Sequence, residues 1–278
     1  MNRIAALEHP LTIAEIFDRA VVLCVRRWRV AIVLSVAVAL PGTLARALAG
    51  GRLPSSGAVS WGSFLIALPV VAFFSAALVR AFGDPDAPDG IGELLRGAAR
   101  DYRRALPSYL LVTVLFYGGA ALAANAVALA YASGLGAGRG PMGAVLAAVV
   151  GVPVVAVSVP LSAVLMIAYP TTVLERVGAW RGLGLAFARV RSGAIARAWL
   201  LGAVLLAVWL GPTILVDSSL DRLGALPGLW WLQLLQPVAS VLAGWCYSLA
   251  AAVVAATDFR LRREGTDLQT TLERIPST

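Results

Sequence analysis

The chain has 278 residues, of which 59% are apolar and only 14% charged, with a net charge of +8. A soluble domain carries roughly 25% charged residues. This composition excludes a disordered chain, a collagen-like chain and an ordinary cytosolic enzyme, and leaves an integral membrane protein. The two cysteines, Cys24 and Cys246, have no neighbours at metal-ligand spacing, and His9 is the one histidine. Disulfide frameworks, zinc sites and histidine-dependent catalytic arrangements therefore have almost nothing to work with. The residues imply no cofactor and no catalytic site, so the expectation is a non-enzymatic chain.

Residues 1–29 read as an N-terminal segment with an amphipathic helix. Leu11–Arg29 places Ile13, Ile16, Phe17, Ala20, Val21, Cys24 and Val25 on one stripe, with arginines and acidic residues opposite. The segment is too long and too acidic for a cleaved signal peptide. A spanning helix needs about 20 mostly apolar residues, and six stretches are predicted to supply it, at about 30–48, 59–82, 107–131, 142–169, 198–216 and 230–257. The first contains Pro41-Gly42, with Arg46 near its end, where it can snorkel to the interface. The fourth contains Pro153 and Pro160, which predict a tilt or kink. Residues 258–278 form a polar tail.

Arginine, which accounts for every basic residue, orients these spans. Arg3, Arg19, Arg26, Arg27 and Arg29 precede the first span; Arg80, Arg96, Arg100, Arg103 and Arg104 follow the second. Arg176, Arg181, Arg189, Arg191 and Arg197 follow the fourth, and Arg260, Arg262, Arg263 and Arg274 the sixth. Only Arg46, Arg52, Arg139 and Arg222 fall on the other side. The positive-inside bias then puts both termini in the cytoplasm. It also argues against a nucleic-acid site, because the charges border apolar helices instead of forming one soluble patch.

The connections on the arginine side are long and amphipathic, whereas those on the other side are short and rich in Gly, Pro, Ser and Ala. Ile91–Arg104 sets Ile91, Leu94, Leu95, Ala98, Ala99 and Tyr102 against arginines, and Gly182–Arg197 repeats the pattern more weakly. Three successive units follow, each an interfacial amphipathic helix, a span out, a tight turn and a span back. The predicted fold is all-α, with six spans in three hairpins forming a single membrane domain over 1–278. Arg26, Arg27, Arg29, Arg100, Arg103, Arg104, Arg189, Arg191 and Arg197 would lie at headgroup depth, where they would contact anionic lipid.

Within the predicted spans the notable polar residues are Asn125 and Gln236, for which interhelical hydrogen bonding is the favoured role over substrate contact. Small residues recur at every fourth position, through Gly143, Ala147 and Gly151 in the fourth span and Ser240, Gly244, Ser248, Ala252 and Ala256 in the sixth. Such stripes allow close helix packing. The run Gly134–Gly140 lacks the order of a phosphate-binding loop and reads as a turn. Glu175-Arg176 and Asp217/Asp221-Arg222 read as solvated charge groups. Trp28, Trp61, Trp180, Trp199, Trp230 and Trp231 sit near span ends as interface anchors would, with Trp209 and Trp245 deeper.

Two short motifs carry a resemblance. Leu11-Thr12-Ile13-Ala14-Glu15-Ile16-Phe17-Asp18-Arg19, with Arg26-Arg27-Trp28, opens the chain; Asp258-Phe259-Arg260-Leu261-Arg262-Arg263-Glu264-Gly265-Thr266-Asp267-Leu268 follows the last span. Together they resemble the bacterial membrane proteins grouped with the glycerophosphodiester phosphodiesterase membrane domain. The tail departs from that pattern at Ala255-Ala256-Thr257 and at Thr266, where aromatic residues are common. The resemblance implies a membrane module that accompanies a phosphodiesterase, not catalysis by the module itself. A lipid-interacting accessory scaffold, with membrane lipids and a membrane protein as partners, is the leading expectation. A carrier of lipid or small apolar solute is the alternative.

Overall fold

The computed structural model describes residues 11–48, 57–84, 87–88, 90–136, 140–192, 195–224, 226, 228–229 and 231–273. Among them the chain is helical throughout, in the order α1 (Ile13–Arg26), α2 (Trp28–Leu48), α3 (Gly57–Gly83), α4 (Ile91–Gly136), α5 (Gly140–Glu175), α6 (Ala179–Ser192), α7 (Ile195–Gly224), α8 (Leu232–Ser240), a π-helical turn (Val241–Cys246) and α9 (Tyr247–Glu273).

The start of α1 is specified locally. The Thr12 hydroxyl accepts from the Glu15 N–H at 3.3 Å, and the Thr12 N–H donates to Glu15 Oε2 at 2.6 Å, forming a reciprocal capping box. The helix buries Ile16 and Ala20, while Val21, Val22 and Val25 remain exposed. Arg27 breaks the chain between α1 and α2. Its guanidinium donates to the carbonyls of Ala87 at 2.9 Å and Pro88 at 3.2 Å, fastening this corner to the α3–α4 connection.

The amphipathic segment predicted at 91–104 and the apolar stretch after it form one helix, α4, which passes Pro107 without a break. The third amphipathic segment ends earlier than predicted, at Ser192 in α6, so Arg197 belongs to the apolar helix α7. Pro153, Pro160 and Pro170 all lie inside the continuous helix α5. That helix closes in a Schellman motif: Arg176 takes φ 53°, and the Val177 N–H donates to the Thr172 carbonyl at 3.2 Å. Glycine is the usual residue there, since a left-handed φ costs a side-chain-bearing residue about 1–2 kcal/mol.

The sixth apolar stretch forms the centre of the bundle. Ala250, Ala251, Ala252, Val253, Val254, Ala255 and Ala256 of α9 are all buried, so this helix is enclosed on every side. Small residues set the spacing around it. A Cβ on Gly244 would lie 2.7 Å from the Trp209 carbonyl oxygen and would overlap the Thr213 hydroxyl, which brings the π turn directly against α7. Gly202 likewise lies against the Val159 carbonyl, joining α7 to α5. The Tyr169 hydroxyl donates to the Ala72 carbonyl at 2.8 Å and joins α5 to α3.

The outer surface is apolar. Ile32, Val33, Val36 and Leu40 of α2, Val149, Val152, Val155 and Val157 of α5, and Leu210, Ile214 and Leu215 of α7 are exposed. Among the described residues, Ala148–Glu175, Ala196–Gly224 and Leu234–Arg263 are long and apolar enough to cross a bilayer, and Trp28–Leu44 and Ala67–Gly83 are shorter apolar helices.

Candidate functional site: the arginine-rich face and an aromatic cavity

The helix ends that carry the arginines meet on one face, and three carboxylates organise them. Asp258, 1% exposed, follows the buried run of α9. Its Oδ1 accepts the Leu11 N–H at 2.8 Å, and its Oδ2 accepts Arg197 Nη2 at 2.8 Å and Arg262 Nε at 2.9 Å. The same two arginines donate to the Leu11 carbonyl, at 2.7 and 2.8 Å. A buried charge is tolerated when it is paired and hydrogen-bonded on all sides, and this carboxylate is. Arg197 also lies over the Phe259 ring, 5.7 Å from its centroid. The Tyr247 hydroxyl adds a bond to the Phe17 carbonyl at 3.1 Å, so α1 is held along its length to α9.

The second pair joins Glu175, at the end of α5, to Arg189 of α6 at 2.5 Å. In sequence Glu175 sits beside Arg176, yet its partner comes from the following helix. The third joins Arg80 of α3 to Asp101 of α4. Each pair ties the end of an apolar helix to a neighbouring element on the arginine-rich face. The i,i+4 spacing of Asp258 and Arg262 is a sequence signal for part of this network; the other partners lie 14 to 251 positions apart and leave no local signature.

The nine arginines expected at headgroup depth divide accordingly. Arg26, Arg29, Arg100, Arg103, Arg104 and Arg191 are exposed. Arg27 binds backbone carbonyls, Arg189 is buried against Glu175, and Arg197 belongs to the Asp258 cluster. Trp28 is exposed beside Arg29, whose guanidinium lies 5.4 Å from the ring centroid; Trp180, Trp199 and Trp231 are also exposed. Trp230 lies outside the described residues, and so does the side chain of Trp61.

Away from this face, Gln236 is buried in α8 and Asn125 is exposed on α4. Ser240 donates to Asp217 Oδ1 at 2.5 Å, linking α8 to α7 and giving Asp217 a protein partner. Along the stripe that begins at the half-buried Ser240, Gly244, Ser248, Ala252 and Ala256 are buried. Gly151 is half-buried in α5, while the surroundings of Gly143 lie outside the described side chains.

An aromatic cavity of about 60 Å³ lies between α4, α5, α7 and the final helix, lined by Tyr109, Phe116, Tyr117, Tyr169, Trp209 and Trp245 among others. The rings meet edge to face, Tyr109 on Tyr169 at 5.2 Å and Phe116 on Trp209 at 5.3 Å between centroids. The buried Trp245 Nε1 has no hydrogen-bond partner. Neither Asn125 nor Gln236 lines this cavity.

Long apolar helices, an apolar outer surface and charged ends define the class: an all-α, multi-pass integral membrane protein. Comparison of the chain with models of known families, characterised proteins and solved structures finds no match.

Proposed function

We propose that the chain is a non-enzymatic, lipid-interacting accessory scaffold of a bacterial inner membrane. It crosses the membrane six times with both termini in the cytoplasm, and it is of the kind grouped with the glycerophosphodiester phosphodiesterase membrane domain. One observation carries this reading. Arg26, Arg29, Arg100, Arg103, Arg104 and Arg191 stay exposed on the face where other arginines are occupied by carboxylates. Exposed guanidinium groups beside apolar helices are placed to meet anionic headgroups, each contributing about 1 kcal/mol within a Debye length.

The test is replacement of Arg100, Arg103 and Arg104 by Gln, leaving the other arginines to hold orientation, followed by mass spectrometry of retained phosphatidylglycerol and cardiolipin. A fall in anionic-lipid retention with topology intact supports the reading. Unchanged retention leaves these arginines as determinants of orientation only.

The aromatic cavity favours a second reading, a carrier of lipid or small apolar solute. Met166 lines it. Under this reading, Met166→Trp, which fills the space, reduces binding of an apolar solute without changing headgroup selectivity.

A further inference from the structure

A second cavity, of about 230 Å³, opens on the arginine-rich face between the ends of α3 and α5 and the middle of α9. Arg80, Asp84, Thr171, Glu175, Arg176 and Arg260 supply its polar lining. Each of the three helices thus contributes one guanidinium, Arg176 from the residue that closes α5. Against three cations stand two carboxylates, and Glu175 is already paired with Arg189. Arg80 is paired with Asp101 and still has further N–H donors, because a guanidinium carries five.

Thr171 identifies the cavity as a site and not a gap in packing. It is 1% exposed, lines the cavity, and its hydroxyl has no hydrogen-bond partner. Its neighbour Thr172 is fully engaged, donating to the Ala168 carbonyl at 3.0 Å and accepting from Ser108 at 3.0 Å. A buried hydroxyl left unsatisfied is destabilising unless a ligand completes it. Arg176 points the same way, since it occupies the left-handed position that glycine would fill without strain.

We propose that this cavity binds a phosphate group, the chemistry shared by an acidic lipid headgroup and a phosphate-bearing solute. Guanidinium groups from three helices, with one hydroxyl donor, surround a tetrahedral anion from several directions, and arginine pairs phosphate bidentately. The proposal goes beyond the scaffold reading, because none of the six exposed arginines invoked there lines the cavity.

The experiment uses the full chain, purified in detergent for calorimetric titration with inorganic phosphate. The same chain is placed in phosphatidylcholine nanodiscs with and without phosphatidic acid, with retained lipid read by native mass spectrometry. Thr171→Val and Arg176→Gly are the test variants. Both should be at least as thermally stable as the parent, one losing an unsatisfied hydroxyl and the other a strained φ. Each should nevertheless weaken phosphate binding by about tenfold or more, the loss expected for one hydrogen bond to a charged group. Variant-sensitive binding of inorganic phosphate identifies a solute site. Variant-sensitive retention of phosphatidic acid without phosphate binding identifies a headgroup site. The Arg100/Arg103/Arg104→Gln variant should bind inorganic phosphate as the parent does, and adding Thr171→Val to it should still lower phosphatidic acid retention, so failure of the scaffold reading stays separate. If neither probe binds, or both bind equally to parent and variants, the proposal is overturned.

Discussion

The backbone N–H of Leu11 donates to Asp258 Oδ1 at 2.8 Å, across 247 positions of sequence. The carboxylate that receives it also holds Arg197 and Arg262, and both arginines return to the Leu11 carbonyl. A single buried acid therefore closes the bundle, joining Leu11, just before α1, to the central helix α9.

Asp258→Ala should be strongly destabilising, because it removes the carboxylate that two guanidinium groups and a backbone N–H share. The expected loss is about 3–5 kcal/mol, as for breaking a buried ion pair. Arg262→Gln should cost about 1 kcal/mol or less, since that side chain is 30% exposed. Thermal unfolding in detergent, followed by size-exclusion chromatography, gives the ranking. An Asp258→Ala protein as stable as Arg262→Gln would refute the closing role.

Two glycine-to-alanine changes should act with opposite sign. At Gly244 the added Cβ would lie 2.7 Å from a backbone oxygen, so overpacking should cost about 1–3 kcal/mol. At Gly184 in α6 a Cβ meets nothing within 4 Å, and alanine should stabilise the helix by about 0.5–1 kcal/mol. Melting both variants beside the parent checks the signs; an unaffected Gly244→Ala would mean that α7 and the π turn are not in contact.

The Cys24 thiol should react slowly. Its pKa is pushed above the ordinary thiol value, first by its hydrogen bond to Cys246 and then by burial. A raised pKa lowers the thiolate fraction at any fixed pH below it, by roughly tenfold per unit. Maleimide labelling near neutral pH, resolved by peptide mass, should find Cys24 slower than a free thiol, and faster once Cys246 is replaced by Ala. Labelling at the free-thiol rate in the parent would rule out the pairing.

Orientation is open to direct measurement. A fluorescent protein fused after Thr278 should mature, and alkaline phosphatase inserted at 137–139, between the predicted third and fourth spans, should be active in the periplasm. Phosphatase activity from a fusion after Thr278 would reverse the arrangement.

Much of the architecture follows from local chemistry. Apolar runs of spanning length mark the bundle helices because a bilayer demands an intrasegment partner for every backbone polar group. Thr12 and Glu15 specify the start of α1 through a capping box that needs only three residues of separation. The opening and closing motifs were legible as motifs; that Leu11 and Asp258 touch was not, because no periodicity encodes a contact between chain ends.

Amino-acid order alone determined an all-α membrane chain with arginine concentrated at one set of helix ends, since hydropathy and charge are summed along the chain. The tertiary structure decided which arginines are used internally. Arg189 and Arg197 read as surface charges in sequence, yet they are occupied by Glu175 and Asp258 once helices far apart in the chain meet. It also decided where cavities form. Thr171 is unremarkable in sequence, and becomes a buried donor without a partner only when three helices converge around it. Burial and pairing depend on which helix ends are neighbours, and packing in three dimensions sets that.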